Sequence, residues 1–271
     1  ASDVSQVRSV LYGCLSLQGY LARVDRTLQG RAAAGTLTTA DRFAAADLKL
    51  QRLDYAGAYQ SYLALEQSAT DPAARARAIH GAGVSLFQLQ RYPEALRALQ
   101  QSLALAPSDA DTVTAIGDVL LRLGRVNDAI TVLRFALRIS PWNERAHDLL
   151  GAGFTRLDYT QLHARYPGSF ADATGRLALQ RGDAAWRTGN LPAARKTYQQ
   201  VAASHPFWAD AEVRLGSLEY VEGHFAAARD YFWNAYTLCP EYGRANEGLA
   251  VALQALTSGI NIHRKEDEEA L

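Results

Sequence analysis

The densest set of reactive side chains lies in GFTRLDYTQLHARYPGSF, from Gly153 to Phe170. It holds two tyrosines, a histidine, two arginines and an aspartate around a Pro-Gly break. A histidine beside tyrosines and a carboxylate could move protons. Catalysis needs more than the residue types, and no base-and-nucleophile pattern is present here. The rest of the chain has no GxSxG, HExxH, P-loop or EF-hand loop. GAGFTR, from Gly151, resembles part of a dinucleotide loop, but no strand pattern precedes it. The six histidines form no i,i+4 pair. Cys14 and Cys239 stand far apart without CxxC spacing, as two small buried apolar residues would. No catalytic residue, no metal and no cofactor is expected, so the reading is that of a chain that is not an enzyme.

Composition narrows the partners. Twenty-eight basic residues balance twenty-eight acidic ones, which argues against a nucleic-acid surface. No apolar run reaches the length of a membrane span, which argues against direct membrane insertion. Methionine is absent, even at position 1. The opening ASD suits either a mature end left by signal-peptide cleavage or a trimmed boundary. The Ala- and Arg-rich composition and the missing start Met favour a bacterial, exported or periplasmic protein over a cytoplasmic one.

The elements that position these residues follow a repeat. Gly83, Gly117 and Gly151 are 34 residues apart, as are Gly182 and Gly216. Twelve residues after four of these glycines stand Ala95, Ala129, Ala194 and Ala228, and twelve further on Pro107, Pro141, Pro206 and Pro240. Large residues, Leu99, Leu133, Tyr198 and Phe232, follow each alanine by four. Between each Gly and Ala, apolar residues recur at helical spacing and a turn interrupts them, as in GDVLLRLGRVNDA. Small residues at the Gly and Ala places let two antiparallel helices approach closely. Each proline is expected to end one unit and sit in the first turn of the next helix.

This pattern resembles the tetratricopeptide repeat, a 34-residue helix-turn-helix unit. The resemblance implies an all-α fold, a right-handed α-solenoid of stacked helix-turn-helix repeats. An amino-terminal helical hairpin would occupy residues 1–35. The solenoid would span 39–257, with units at 39–75, 76–109, 110–143, an irregular 144–174, 175–208 and 209–242, and a capping helix at 243–257. Thr39 or Asp41 would cap the first of these helices. Residues 258–271 would form a charged, frayed or solvated tail.

The family's members hold a peptide or partner helix in a concave groove lined by the second, fifth, ninth, twelfth and thirteenth places of each unit. Carried over, those places imply Arg77, His80 and Phe87, then Asp111, Asp118 and Arg122, then Arg145, Asp148 and Arg156, and finally Arg176, Asp183, Trp186 and Arg187. Arg and Trp are favoured anchors at binding sites. A chaperone-tail clamp is argued against, because aspartate at the ninth place would repel a terminal carboxylate. The implied function is a scaffold or adaptor for a protein or peptide partner, as in assembly of a cell-envelope complex. Its alternatives are the substrate-recruiting or regulatory region of a larger enzyme, and a peptide-binding chaperone or sensor. Tyr231 and Trp233 flank Phe232 and cannot both point inward, so one is a candidate convex contact and self-association is open.

The opening stretch is where the repeat fails. Counted from Gly151, Pro167 arrives eight residues early, and Gly182 follows Gly151 by 31 rather than 34. The second helix, about Tyr159 to Tyr166, is expected to lose two turns and the following helix to gain more than one, capped by Ser169. The shortfall leaves a notch in which Tyr159, His163, Arg165 and Tyr166 could meet a partner, or it is merely a degenerate unit.

Overall fold

The structure is a computed structural model describing the backbone at residues 19, 21–154 and 159–269, and side chains there except at 159–161 and 259–269. Most of the expected amino-terminal hairpin, together with Cys14 and Arg156, lies outside the described residues. All regular structure in the described residues is α-helical, with no strand. The Cα framework divides into two units, Ala1–Leu123 and Gly124–Leu271. The first contains α1 (21–33), α2 (Thr39–Gln51), α3 (Tyr55–Ser68), α4 (Pro72–Gln88), α5 (Tyr92–Leu105) and α6 (Ala110–Arg122). The second contains α7 (Val126–Ile139), α8 (Glu144–Phe154), α9 (Tyr159–Arg165), α10 (Ala173–Arg187), α11 (Leu191–Ser204), α12 (Ala209–Val221), α13 (Phe225–Leu238) and α14 (Gly243–Glu269).

Helix pairing follows the repeat chemistry. Ala95, Ala129, Ala194 and Ala228 are fully buried. A Cβ on Gly83 would come within 2.8 Å of Leu99, and one on Gly216 within 2.9 Å of Phe232, so the small residue admits the large one of the partner helix. In the two-helix turns of units 39–75, 76–109, 110–143, 175–208 and 209–242, the fifteenth residue takes a left-handed backbone. Glycine supplies it at Gly124, Gly189 and Gly223, whereas Leu53 (φ 63) and Gln90 (φ 60) bear it with a side chain.

Four local expectations are corrected. The cap of α2 is Thr38, whose hydroxyl accepts from the Asp41 backbone while the Asp41 carboxylate accepts from the Thr38 N–H. Asp41 is thus the third residue of a capping box, not the cap. The repeat prolines sit in the connecting turns rather than in helical first turns. The Asp109 N–H bonds back to Ala106 O across Pro107, and the same bond recurs across Pro141, Pro206 and Pro240. α10 is capped by Asp172, not Ser169, whose hydroxyl instead donates to Leu238 O at 3.2 Å. Of the five residues gained after Pro167, three lengthen the turn before α10 and two lengthen α10 itself, which has 15 residues against 13 in α6 and α12. Finally, α14 runs to Glu269 rather than fraying after 257, consistent with the strong helix formers in RKEDEEA.

The irregular unit has an unexpected partner. α8 packs on α14, almost a hundred residues away, as extensively as helices within a regular hairpin pack on each other. A Cβ on Gly151 would lie 2.6 Å from Glu247 Cγ and 3.3 Å from Gly243 O. His147 is fully buried between Asn246 Oδ1 at 3.1 Å and Pro141 O at 2.9 Å, with the Tyr236 ring edge-on at 5.2 Å. Glu241, before α14, accepts from Arg134 of α7 and Arg165 of α9, each at 2.7 Å. Burial raises its pKa, but the two guanidiniums outweigh that and hold it below the usual carboxylate range. Among the described residues, α8 is followed only by the short α9 and α14 by no second helix, and each packs on the other. Leu162 and Phe170 then enter the core made by α12, α13 and α14.

Candidate functional site

The groove-facing residues expected in the first unit are engaged with their own chain. Arg77 donates to Asp47 at 3.0 Å and lies 4.3 Å over the Phe43 ring. Asp47 also accepts from the Tyr62 hydroxyl. His80 Nδ1 and Thr112 Oγ1 are 2.7 Å apart, and burial pulls the imidazole pKa below its ordinary value despite the nearby Asp109, Asp111 and Asp47. Phe87 meets Tyr92 at 5.6 Å, while Arg122 reaches Phe87 at 6.0 Å and Asp118 at 4.0 Å. The Asp111 N–H donates to Asp109 at 3.1 Å.

In the second unit, Arg145 pairs with Asp148 along the exposed side of α8 at 2.7 Å. Arg176, Asp183, Trp186 and Arg187 are brought to one side of α10, where α12 and α14 complete a groove. It has two basins that share Arg214 and Arg244. The larger, about 720 Å³, has walls of Trp186, Tyr220, Val221 and Val251 over a floor of Val213 and Phe232. The smaller, about 470 Å³, is bounded by Arg176, Gln180, Asp210 and Tyr242 with Phe154 and Leu162. Arg214, Arg244, Tyr220, Val221 and Val251 were not among the residues expected from the sequence. The signal for four of them was available, since Tyr220, Val221, Arg244 and Val251 fall at the same repeat places on α12 and α14, whereas Arg214 takes the sixth place, outside that pattern.

Asp183 organises the groove wall. It accepts from Tyr198 at 2.7 Å and from Arg214 Nε and Nη2 at 2.8 and 3.0 Å. Burial raises the carboxyl pKa, yet these donors more than offset it and leave it depressed. Burial first, and the Asp183 bond second, push the Tyr198 phenol upward. The same trio occurs as Asp47, Tyr62 and Arg77, so the ninth-place aspartates of these units are neutralised across neighbouring hairpins. Sequence reasoning treated Asp183 and Arg77 as partner contacts because it had no view of that pairing.

Three of the notch residues, His163, Arg165 and Tyr166, are engaged with their own chain as well. Arg165 pairs with Glu241, Tyr166 packs against the α12–α14 core, and the His163 ring lies 5.6 Å from Phe170. Tyr159 begins α9, and its side chain lies outside the described residues. Trp233 packs on Trp142 at 4.5 Å and Tyr231 against the α10–α11 core, so the exposed member of that aromatic surface is Trp142. Among the described residues, Glu219, Glu222 and His224 are placed to hold a cation, but Arg195 already pairs with both carboxylates. No described helix is long and apolar enough to cross a membrane.

A tetratricopeptide-repeat family model matches residues 80–144 and 179–243. The chain is a tetratricopeptide-repeat protein. Its repeats also resemble human protein O-mannosyl-transferase TMTC1, 23% identical over 193 residues. That match covers 69% of this chain, and the chain spans only 22% of the human protein's length. Among solved structures, the repeat protein is similar to the TPR2AB domain of yeast Sti1 in complex with pHSP90 (14% identity, 81% of this chain and 84% of that one, TM-score 0.40). It is also similar to YrrB, a TPR protein with an unusual peptide-binding site (19%, 80% and 95%, TM-score 0.38). A third is MamA from Desulfovibrio magneticus RS-1 (17%, 74% and 94%, TM-score 0.38).

Proposed function

We propose that this repeat protein is a non-catalytic interaction scaffold that holds an extended peptide or a partner helix in the groove of α10, α12 and α14. The observation that carries the reading is the larger basin. Val221 and Val251 keep 60% and 40% of their surface exposed beside Trp186 and Tyr220. A concave wall of exposed apolar side chains with polar groups at its rim is the usual form of a binding site. Assembly of a bacterial cell-envelope complex is the finer version of this proposal, and composition alone supports it.

Selection from a random peptide library, followed by titration, tests the reading. Saturable binding that Val221→Glu abolishes supports it. Failure to select any peptide, or selected peptides that bind Val221→Glu equally well, refutes it. The similarity to TMTC1 favours a second reading, in which the repeats present acceptor proteins to an O-mannosyl-transferase. An unfolded acceptor domain retained on the wild-type chain but not on Val221→Glu supports that version, and no retention refutes it.

A further inference from the structure

The groove's charges are unevenly spent. Asp183 is covered by Arg214 and Tyr198, Asp210 is buried, and Glu247 is half-buried where α8 meets α14. Arg176, Arg187 and Arg244 are exposed, and none has a carboxylate within ion-pair distance among the described residues. Arg176 makes one long bond, to Ala171 O at 3.3 Å. In the first unit, by contrast, Arg77 and Arg122 on the corresponding faces have both a carboxylate and an aromatic ring. A ligand entering the second unit's groove meets guanidinium groups at the rim and covered carboxylates below.

Arg176 and Arg187 are eleven residues apart on α10, about three full turns, so they share one face with a rise of about 16 Å between them. An extended chain covers that distance in about five residues. The apolar basin lies at the Arg187 end, bounded by Trp186, Tyr220, Val221 and Val251.

We propose that this groove recognises an extended acidic segment, with two carboxylate side chains about five residues apart and a large apolar residue between them. The carboxylates pair with Arg187 at one end and with Arg176 and Arg244 at the other, and the apolar side chain enters the Trp186 basin. This assignment rests on the groove reading above and adds the chemistry of the occupant. Guanidinium–carboxylate pairs are directional and often bidentate, so the spacing is a recognition element and not only a charge.

The test uses labelled twelve-residue Gly/Ser peptides titrated against the full chain by fluorescence anisotropy. One carries Glu at positions 4 and 9 and Phe at position 7. A second has Lys in place of both Glu residues, and a third has Ala in place of Phe. The first should bind at least about tenfold more tightly than either control, in line with charge-assisted pairing and burial of an aromatic ring. Arg187→Glu and Arg176→Glu should each cost about tenfold or more. Arg181→Glu, exposed on another face of α10, should leave affinity unchanged. Unaltered tryptophan emission establishes that each variant is folded. Equal binding of the Lys and Glu peptides, or indifference to Arg176→Glu and Arg187→Glu, overturns the acidic assignment and leaves the groove reading standing. Absence of saturable binding by all three peptides overturns the assignment. Failure of the random library as well overturns the groove reading with it.

Discussion

Two glycines on one helix should respond to the same substitution with opposite signs. Gly151 and Gly153 both lie in α8 and are both buried. Among the described residues, a Cβ at 153 would find only Ile130 Cγ1 at 3.7 Å, an ordinary contact. Gly153→Ala should therefore stabilise by about 0.5 kcal/mol, somewhat below the usual Gly-to-Ala helix gain because the site is near the last described turn. A Cβ at 151 would meet Glu247 Cγ at 2.6 Å, Glu247 N at 3.0 Å and Gly243 O at 3.3 Å. The first atom can swing away, but the other two are backbone, so α14 itself must shift. Overpacking of this kind costs about 1–3 kcal/mol, which exceeds the same helix gain. Gly151→Ala should therefore destabilise by about 1–2 kcal/mol. All four tryptophans, Trp142, Trp186, Trp208 and Trp233, lie in the second unit, so tryptophan emission in a urea titration follows that unit alone. The expected result is a midpoint lowered for Gly151→Ala and raised for Gly153→Ala, with little change in slope. Had α8 no contact with α14, both substitutions would stabilise. Two upward shifts would refute the α8–α14 seam.

Three further outcomes are expected. Leu53→Gly and Gln90→Gly relieve a left-handed backbone that glycine adopts freely, and each should stabilise the first unit by about 1 kcal/mol, read by far-UV circular dichroism. Burial pushes the Cys239 thiol up to about 12, so with Cys14→Ser present the native protein should react with a disulfide reagent at pH 8 only as fast as it opens. Burial lowers the His147 pKa, outweighing the opposing bonds to Asn246 and Pro141. The unfolded state then binds the proton more readily than the folded one. The stability contributed by neutral His147 is present above about 6.5 and is lost as the pH falls below it. His147→Gln should flatten that part of the melting-temperature profile; an unchanged slope refutes the assignment.

The regular units were readable because a glycine, an alanine and a large residue at fixed spacing specify one local packing. Their helices and close contacts lie within a unit or between neighbours, which is the range over which periodicity speaks. The seam of α8 and α14 is not local. Nothing in ERAHDLLGAGF announces that its small face will be covered by GRANEGLA a hundred residues on, since Gly151 suits any closely approaching helix. The early Pro167 did show that α9 was short, but not what would replace it. The groove was partly legible for the same reason: Asp183, Trp186 and Arg187 follow from repeat position. Which arginines remain available depends on pairings such as Asp183 with Arg214, which span 31 residues and two helices.

The seam and the groove share a helix, and this makes them energetically coupled. Gly243 and Glu247 meet α8, while Arg244, Glu247 and Val251 line the larger basin, on the same two turns of α14. Whatever holds those turns against α8 also fixes the groove's third wall. A ligand that grips Arg244 must then protect the seam, because binding to the closed form alone stabilises it in proportion to occupancy. Amide exchange at Leu150 and Gly151, buried in α8 outside the larger basin, should slow when the acidic peptide saturates the groove. It should slow less in Gly151→Ala, where the seam is strained. Slower exchange only within α10 and α12 would mean that the ligand holds two walls and that α14 is a passive cap.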